Sequence, residues 1–193
     1  MIKQSTEIRQ KQIVNTSLEL VKDGGIQNLT IKKISKNIGI SEQAIYRHFD
    51  SKHMILCAII KHFNNHFDEI FLQLKNIDND SWMENFIDVH INYFENNHAV
   101  AAVIFSEEIF QNNSKLSSAI KDLLDRRVNL ITKTIIQKQL DKVLNTTLPP
   151  RDLAYIIIGG LRFLVTNWRL SNFSFSFKES GDSLKNTYSK LII

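Results

Sequence analysis

The chain has 193 residues, enough for one domain or for a small domain beside a larger one, and its 43 % hydrophobic content can fill a real core. Two prolines and six glycines leave most of it free to be helical, and a single cysteine, Cys57, excludes an internal disulfide and suits a reducing cytoplasm. The formal net charge of +4 sits wholly in residues 1–53, where nine basic side chains face five acidic ones, so a polyanion is the simple physical partner for that segment.

The N-terminus, MIKQSTEIRQKQ, is polar and lacks the apolar stretch of a secretory leader. The longest apolar run, Leu153–Val165, is broken by Arg162 and falls short of the ~20 residues that span a bilayer, so the chain is expected in the cytoplasm with no membrane partner. Residues 5–23 predict an amphipathic helix, with Ile13, Val14, Ser17, Leu18 and Val21 at helical spacing and Gly24-Gly25 as its end. Thr30 is placed to cap a second helix, 31–38, whose apolar face is Ile31, Ile34 and Ile38. Gly39 supplies a left-handed turn and Ile40 plugs the joint. Ser41 then caps a third helix, 42–48, anchored by the i, i+4 pair Ile45 and Phe49. Asp50 or Ser51 opens a fourth helix over about 51–75, with a stripe of Leu56, Ile59, Ile60, Phe63, Phe67, Ile70, Phe71 and Leu74.

Asp78-Asn79-Asp80 reads as a turn, and Ser81 as the cap of a helix to about Asn96. Ala99–Phe105 is short, small-residue rich and expected to be buried, and 107–113 reads as a last turn and loop. Two long helices follow, over about 115–144 and 150–170. The segment 171–180, SNFSFSFKES, alternates Phe and Ser with period two and fits either a packed extended loop or a short strand. A terminal helix with Leu184, Tyr188 and Leu191 is expected after Gly181.

The densest chemistry lies in residues 29–52. Two short helices meeting at one glycine, the second polar on its outer side, form the layout of a helix-turn-helix reader. Gln43 is suited to adenine edges and Arg47 to guanine, whereas Tyr46, His48, serines and Lys52 suit phosphate oxygens. The competing reading is that Tyr46 and His48 merely cover the three-helix core. Residues 9–60 resemble the N-terminal DNA-binding domain of the TetR family of bacterial transcriptional regulators. Thr30, Ile34, Ser35, Gly39, Ile40, Ser41, Ala44, Ile45, Tyr46, His48, Phe49, Lys52 and Ile55 carry the resemblance. It implies phosphate contacts from Thr30, Ser41, Tyr46, His48 and Lys52, and base edges facing Gln43, Ala44 and Arg47. With Lys33, these residues make up the candidate DNA-binding set. Ser35 stands where the family usually has alanine, and its hydroxyl is free to bond back to its own helix.

The expected fold is therefore all-α, with a three-helix helix-turn-helix domain over 1–50 and a helical ligand-binding and dimerisation domain over 51–193. The helix 150–170 is apolar around much of its circumference, and Gly159-Gly160 would weaken it by ~1 kcal/mol each unless another backbone comes close. The resemblance implies a two-fold interface there, and the expected residues are Leu124, Val128, Ile131, Ile157, Gly160, Leu161 and Leu164. A homodimer also suits the reader, since two reading helices about 34 Å apart address a palindromic operator in double-stranded DNA. The alternative is an ordinary monomer core.

Aromatic residues crowd the middle helices and can line a site for a small apolar or aromatic ligand. The candidates are Phe63, Phe67, Phe86, His90, Tyr93, Phe105 and Trp168, which could equally just fill a core. His62 and His66 are four apart, but Phe-Asn-Asn between them lacks the glutamate of a zinc-protease helix, and no metal or cofactor is expected. No nucleophile elbow, phosphate loop or carboxylate pair supports catalysis. The leading function is a sequence-specific transcriptional regulator, a repressor released by such a ligand. The alternatives are the same fold without an inducer and, from another class, an all-α metal protein.

Overall fold

The structure is a computed structural model that describes residues 5–74, 82–106 and 113–192, apart from the side chains of 72–74 and 191–192. Every regular element among them is helical. The turn expected at 78–80, its cap Ser81, Phe110 and the loop through residue 112 lie outside the described residues.

The chain forms two compact units. The first comprises Met1–Asn64 with His98–Ile120. Helix α1, Thr6–Gly24, starts where Ser5 accepts from Ile8 N–H at 3.3 Å and stops at Gly25, whose φ of 70° needs a residue without Cβ. Ser17 is enclosed on its apolar side, so its hydroxyl donates to Ile13 O at 2.7 Å. Helix α2, Ile31–Ile38, ends at Gly39 in the left-handed region (φ 76°), where the N–H groups of Gly39 and Ile40 both reach Ser35 O. Helix α3, Glu42–Tyr46, is a bare turn and a half. Ile13, Leu29, Ile34 and Ile45, all fully enclosed, form the core of this three-helix arrangement. Helix α4, Lys52–Leu74, is capped by Ser51, whose Oγ accepts from Met54 N–H at 3.3 Å. Its residues up to Asn64 complete the unit together with α6, His98–Ile104, which packs on α1.

The second unit comprises Asn65–Asn97 and Lys121–Ile193. It holds the remainder of α4, helix α5 (Trp82–Asn96), most of α7 (Ser114–Leu140), α8 (Pro150–Leu170) and α9 (Phe177–Ile192). Helix α9 packs on both α5 and α8, and glycines permit the approach. A Cβ at Gly181 would run into Ile91, and one at Gly160 would collide with the Tyr188 hydroxyl, which donates to Ile156 O at 2.8 Å.

Two local expectations are corrected. The Phe/Ser alternation makes neither a short strand nor a packed extended loop. It is a turn with positive φ at Asn172 and Phe173, after which α9 begins at Phe177, four residues before Gly181. The cause is Trp168, which holds Phe177 in a stack at 4.3 Å and Phe173 edge-on at 4.7 Å while its indole N–H donates to Phe175 O. Helix α7 ends at Leu140 rather than near 144, because Lys142 turns left-handed and Val143 N–H returns to Lys138 O.

Candidate nucleic-acid interface

The first unit presents α3 with its two faces sharply divided. Ile45 and Phe49 are buried, while Glu42, Gln43, Tyr46 and Arg47 are exposed, Tyr46 at 49 %. Ala44 and His48 are half-buried. Ser41 accepts from Ala44 N–H at 3.2 Å and Thr30 from Lys33 N–H at 3.2 Å, so both hydroxyls fix helix starts on the exposed side. Lys33 is exposed with its ammonium bonded to Asn28 Oδ1, and Lys52 is half-buried, where burial pulls its pKa below the ordinary lysine value. The Ser35 hydroxyl does bond back to its own helix, donating to Lys32 O at 3.0 Å.

Sequence reading passed over one residue of this region. Gln10 Nε2 on α1 donates to His48 O at 3.2 Å and so ties the end of the reader segment to a helix 38 positions earlier. No local pattern announces it. Among the described residues, His48 Nδ1 is enclosed without a hydrogen-bond partner. Cys57 is half-buried, and burial pushes its thiol pKa up, opposite to an activated thiolate.

The expected ligand residues divide between the units. Phe63 and Phe105 belong to the first. In the second, Phe67, Phe86, His90 and Tyr93 meet in one cluster. His90 lies 4.3 Å from Phe67 and 4.2 Å from Phe86 by ring centroids, and Tyr93 sits edge-on to Phe67 at 5.1 Å. Trp82 stacks on Phe86 at 5.6 Å. Trp168 belongs instead to the separate group with Phe173 and Phe177. Burial holds the Tyr93 hydroxyl up to about 12 and pushes His90 down to about 3, against the opposing pull of its hydrogen bond to Phe86 O. Arg127, missed from sequence, brings its guanidinium over Phe67 at 5.2 Å and pairs with Asp68 at 3.2 Å. Burial lowers its pKa to about 10, which still leaves it cationic at neutral pH. Among the described residues no cluster of three or more potential metal ligands occurs.

Residues 13–59 match the family model of bacterial regulatory proteins of the tetR family, and residues 59–193 match that of the YsiA-like protein C-terminal region. The chain belongs to the TetR family of transcriptional regulators. It is 22 % identical over 163 residues to the fatty acid metabolism regulator protein of Bacillus subtilis, covering 83 % of this chain and 84 % of that one. It is 30 % identical over 53 residues to the class C tetracycline repressor of Escherichia coli, which spans 28 % of this chain and only 24 % of that protein. Two solved structures share the fold. One is the Bacillus subtilis regulator FadR in complex with stearoyl-CoA, with TM-score 0.80 and 21 % identity over 91 % of this chain and 95 % of that one. The other is a Saccharomonospora viridis regulator in complex with choline, with TM-score 0.83 and 20 % identity over 96 % and 98 %.

In this TetR-family chain, of the residues expected at a dimer face, Val128, Ile131, Ile157 and Leu161 are buried, and Leu124, Gly160 and Leu164 are half-buried. The outward apolar positions of α8 include Ile156 at 52 %, Phe163 at 73 % and Leu170 at 69 %. They fall on one helical face with Gly159, above which a Cβ would meet nothing within 4 Å. Periodicity found the helices but could not tell which stripe the chain itself covers. No helix of the described residues is long and apolar enough to cross a membrane.

Proposed function

We propose that this TetR-family regulator is a homodimeric repressor that binds a palindromic operator and is released by a small apolar or aromatic ligand. The exposed outer face of α3 carries the reading, because Gln43 and Arg47 stand free beside Tyr46 with the phosphate-type groups Thr30, Lys33, Ser41, His48 and Lys52 around them. Residues 1–50 act as the DNA-reading part and 51–193 as the regulatory and dimerising part. A second copy covers the exposed stripe of α8, where Gly159 lets two backbones approach and Phe163 finds cover that its own chain does not provide.

The aromatic cluster of the second unit is the proposed ligand site. Relatives of this fold bind ligands as different as stearoyl-CoA and choline, so the ligand class must come from the residues present. Arg127 already occupies a ring face of Phe67, the seat a ligand cation would take, which favours an uncharged or anionic molecule. Ligand binding among Phe67, Phe86, His90 and Tyr93 displaces α4, and the reader pair changes its separation. That step requires the ligand to bind the two states unequally.

The close ring packing around His90 also fits a regulator without an inducer. One experiment covers both readings: selection of DNA by the full chain from a random pool, then challenge of the complex with apolar metabolites. The proposal expects an inverted repeat with half-sites about one helical turn apart, two chains per site, and release by at least one apolar compound. Selection of no DNA overturns the regulator reading, and operator binding that no compound relieves favours the inducer-free one.

A further inference from the structure

The cluster in the second unit contains one polar atom whose chemistry is fixed by its neighbours. His90 Nδ1 lies 2.7 Å from Phe86 O, one helical turn back. A carbonyl oxygen only accepts, so Nδ1 must carry the proton and donate. In the neutral ring Nε2 is then a bare lone pair. Among the described residues Nε2 has no hydrogen-bond partner. The imidazole packs against the rings of Phe67 and Phe86, at 4.3 Å and 4.2 Å between centroids, and keeps part of its surface open.

Resting on the ligand reading above, we propose that His90 Nε2 is the polar anchor of the ligand site and accepts a hydrogen bond from an uncharged apolar molecule bearing one O–H or N–H donor, a phenol or alcohol rather than a carboxylate. An ionised carboxylate offers only acceptors and would set lone pair against lone pair. An ether of the same shape would leave Nε2 desolvated and unpaired, which costs more than the bond itself contributes in water. Burial keeps the imidazole neutral, so the acceptor persists throughout the neutral pH range. The neighbouring rings accept an aromatic or aliphatic body without further polar demand.

The test uses the full chain and calorimetric titration with a panel of alkylphenols and primary alcohols, each beside its methyl ether and the corresponding carboxylate. The donor-bearing members should bind roughly tenfold more tightly than their ethers, and His90→Phe should erase that difference, weakening the donor-bearing members and relieving the ethers of the unpaired Nε2. Equal binding of alcohols and ethers, tighter carboxylates, or a preference that survives His90→Phe each overturns the proposal and leaves the ligand reading intact. If no member of the panel binds, the ligand reading fails and this inference falls with it. Nitrogen NMR of histidine-labelled wild-type protein supplies a readout that does not depend on the variant folding. It should show the Nδ1–H tautomer for His90 and a shift at Nε2 only when a donor-bearing ligand is added, and an Nε2–H tautomer would overturn the assignment.

Discussion

The two units draw their polar chemistry from opposite sources. In the first, the groups proposed to contact DNA stand outside a small aliphatic core, and local capping bonds orient two of them: Thr30 and Ser41 each serve an N–H three residues on. In the second, polar groups sit inside an aromatic cluster, where Phe86 O fixes His90 from one helical turn back and Asp68 holds Arg127 from 59 positions earlier. The contrast teaches that a surface which must meet a uniform polyanion can be specified within a few consecutive residues. A site that must enclose one molecule has to be assembled from several helices.

Ile45→Ala is the harshest way to probe the first unit. The side chain is fully enclosed on the inner face of α3, so truncation should cost ~2–5 kcal/mol in urea unfolding and remove operator binding with it. A loss below ~1 kcal/mol would mean that α3 is not anchored as described. In the second unit the adjacent glycines should part company. Gly160→Ala drives a methyl into the Tyr188 hydroxyl and should cost ~1–3 kcal/mol. Gly159→Ala meets open space and should stabilise the isolated chain by up to ~1 kcal/mol while weakening self-association in sedimentation. Equal losses at both would erase the distinction between covered and outward stripes.

A smaller effect, ~1 kcal/mol, is expected for Ser41→Ala, since the α3 start loses its cap. Thermal melts beside Thr30→Ala would show whether local caps carry the reader to the extent claimed. A further contrast is in pH. His90 has a folded pKa of about 3 against an ordinary 6.5, so the unfolded chain binds the extra proton between these values. Its contribution is full above pH ~6.5 and is lost as pH falls toward ~3. His90→Phe should flatten that acid limb, and an unchanged limb would place the stability loss on other groups.

The first unit was largely legible in the sequence because its signals are short-range. Gly39 did mark a left-handed turn, and Ser41 and Thr30 did cap helices. Gln10 escaped because its bond to His48 O spans 38 positions and leaves no periodic trace. In the second unit, four of the expected rings converge, yet Trp168 turns away to Phe177 and Phe173. The start of α9 was misread because alternating phenylalanines can serve a turn around one indole as well as a strand. Helical stripes name two faces alike; only packing decides which is covered, as Ile157 and Ile156 show by sitting side by side at 0 % and 52 % exposure.

The central claim is that the outward face of α3 reads base sequence while its flanks hold phosphate. It is tested most directly by comparing Arg47→Ala with Lys52→Ala on the selected operator across a salt series. Arg47→Ala should cost ~1–3 kcal/mol and relax preference at one position of each half-site. Lys52→Ala should weaken all sequences alike and reduce the salt slope by about one. Unchanged affinity and salt slope in both variants would contradict the account and move the reading surface elsewhere on the chain.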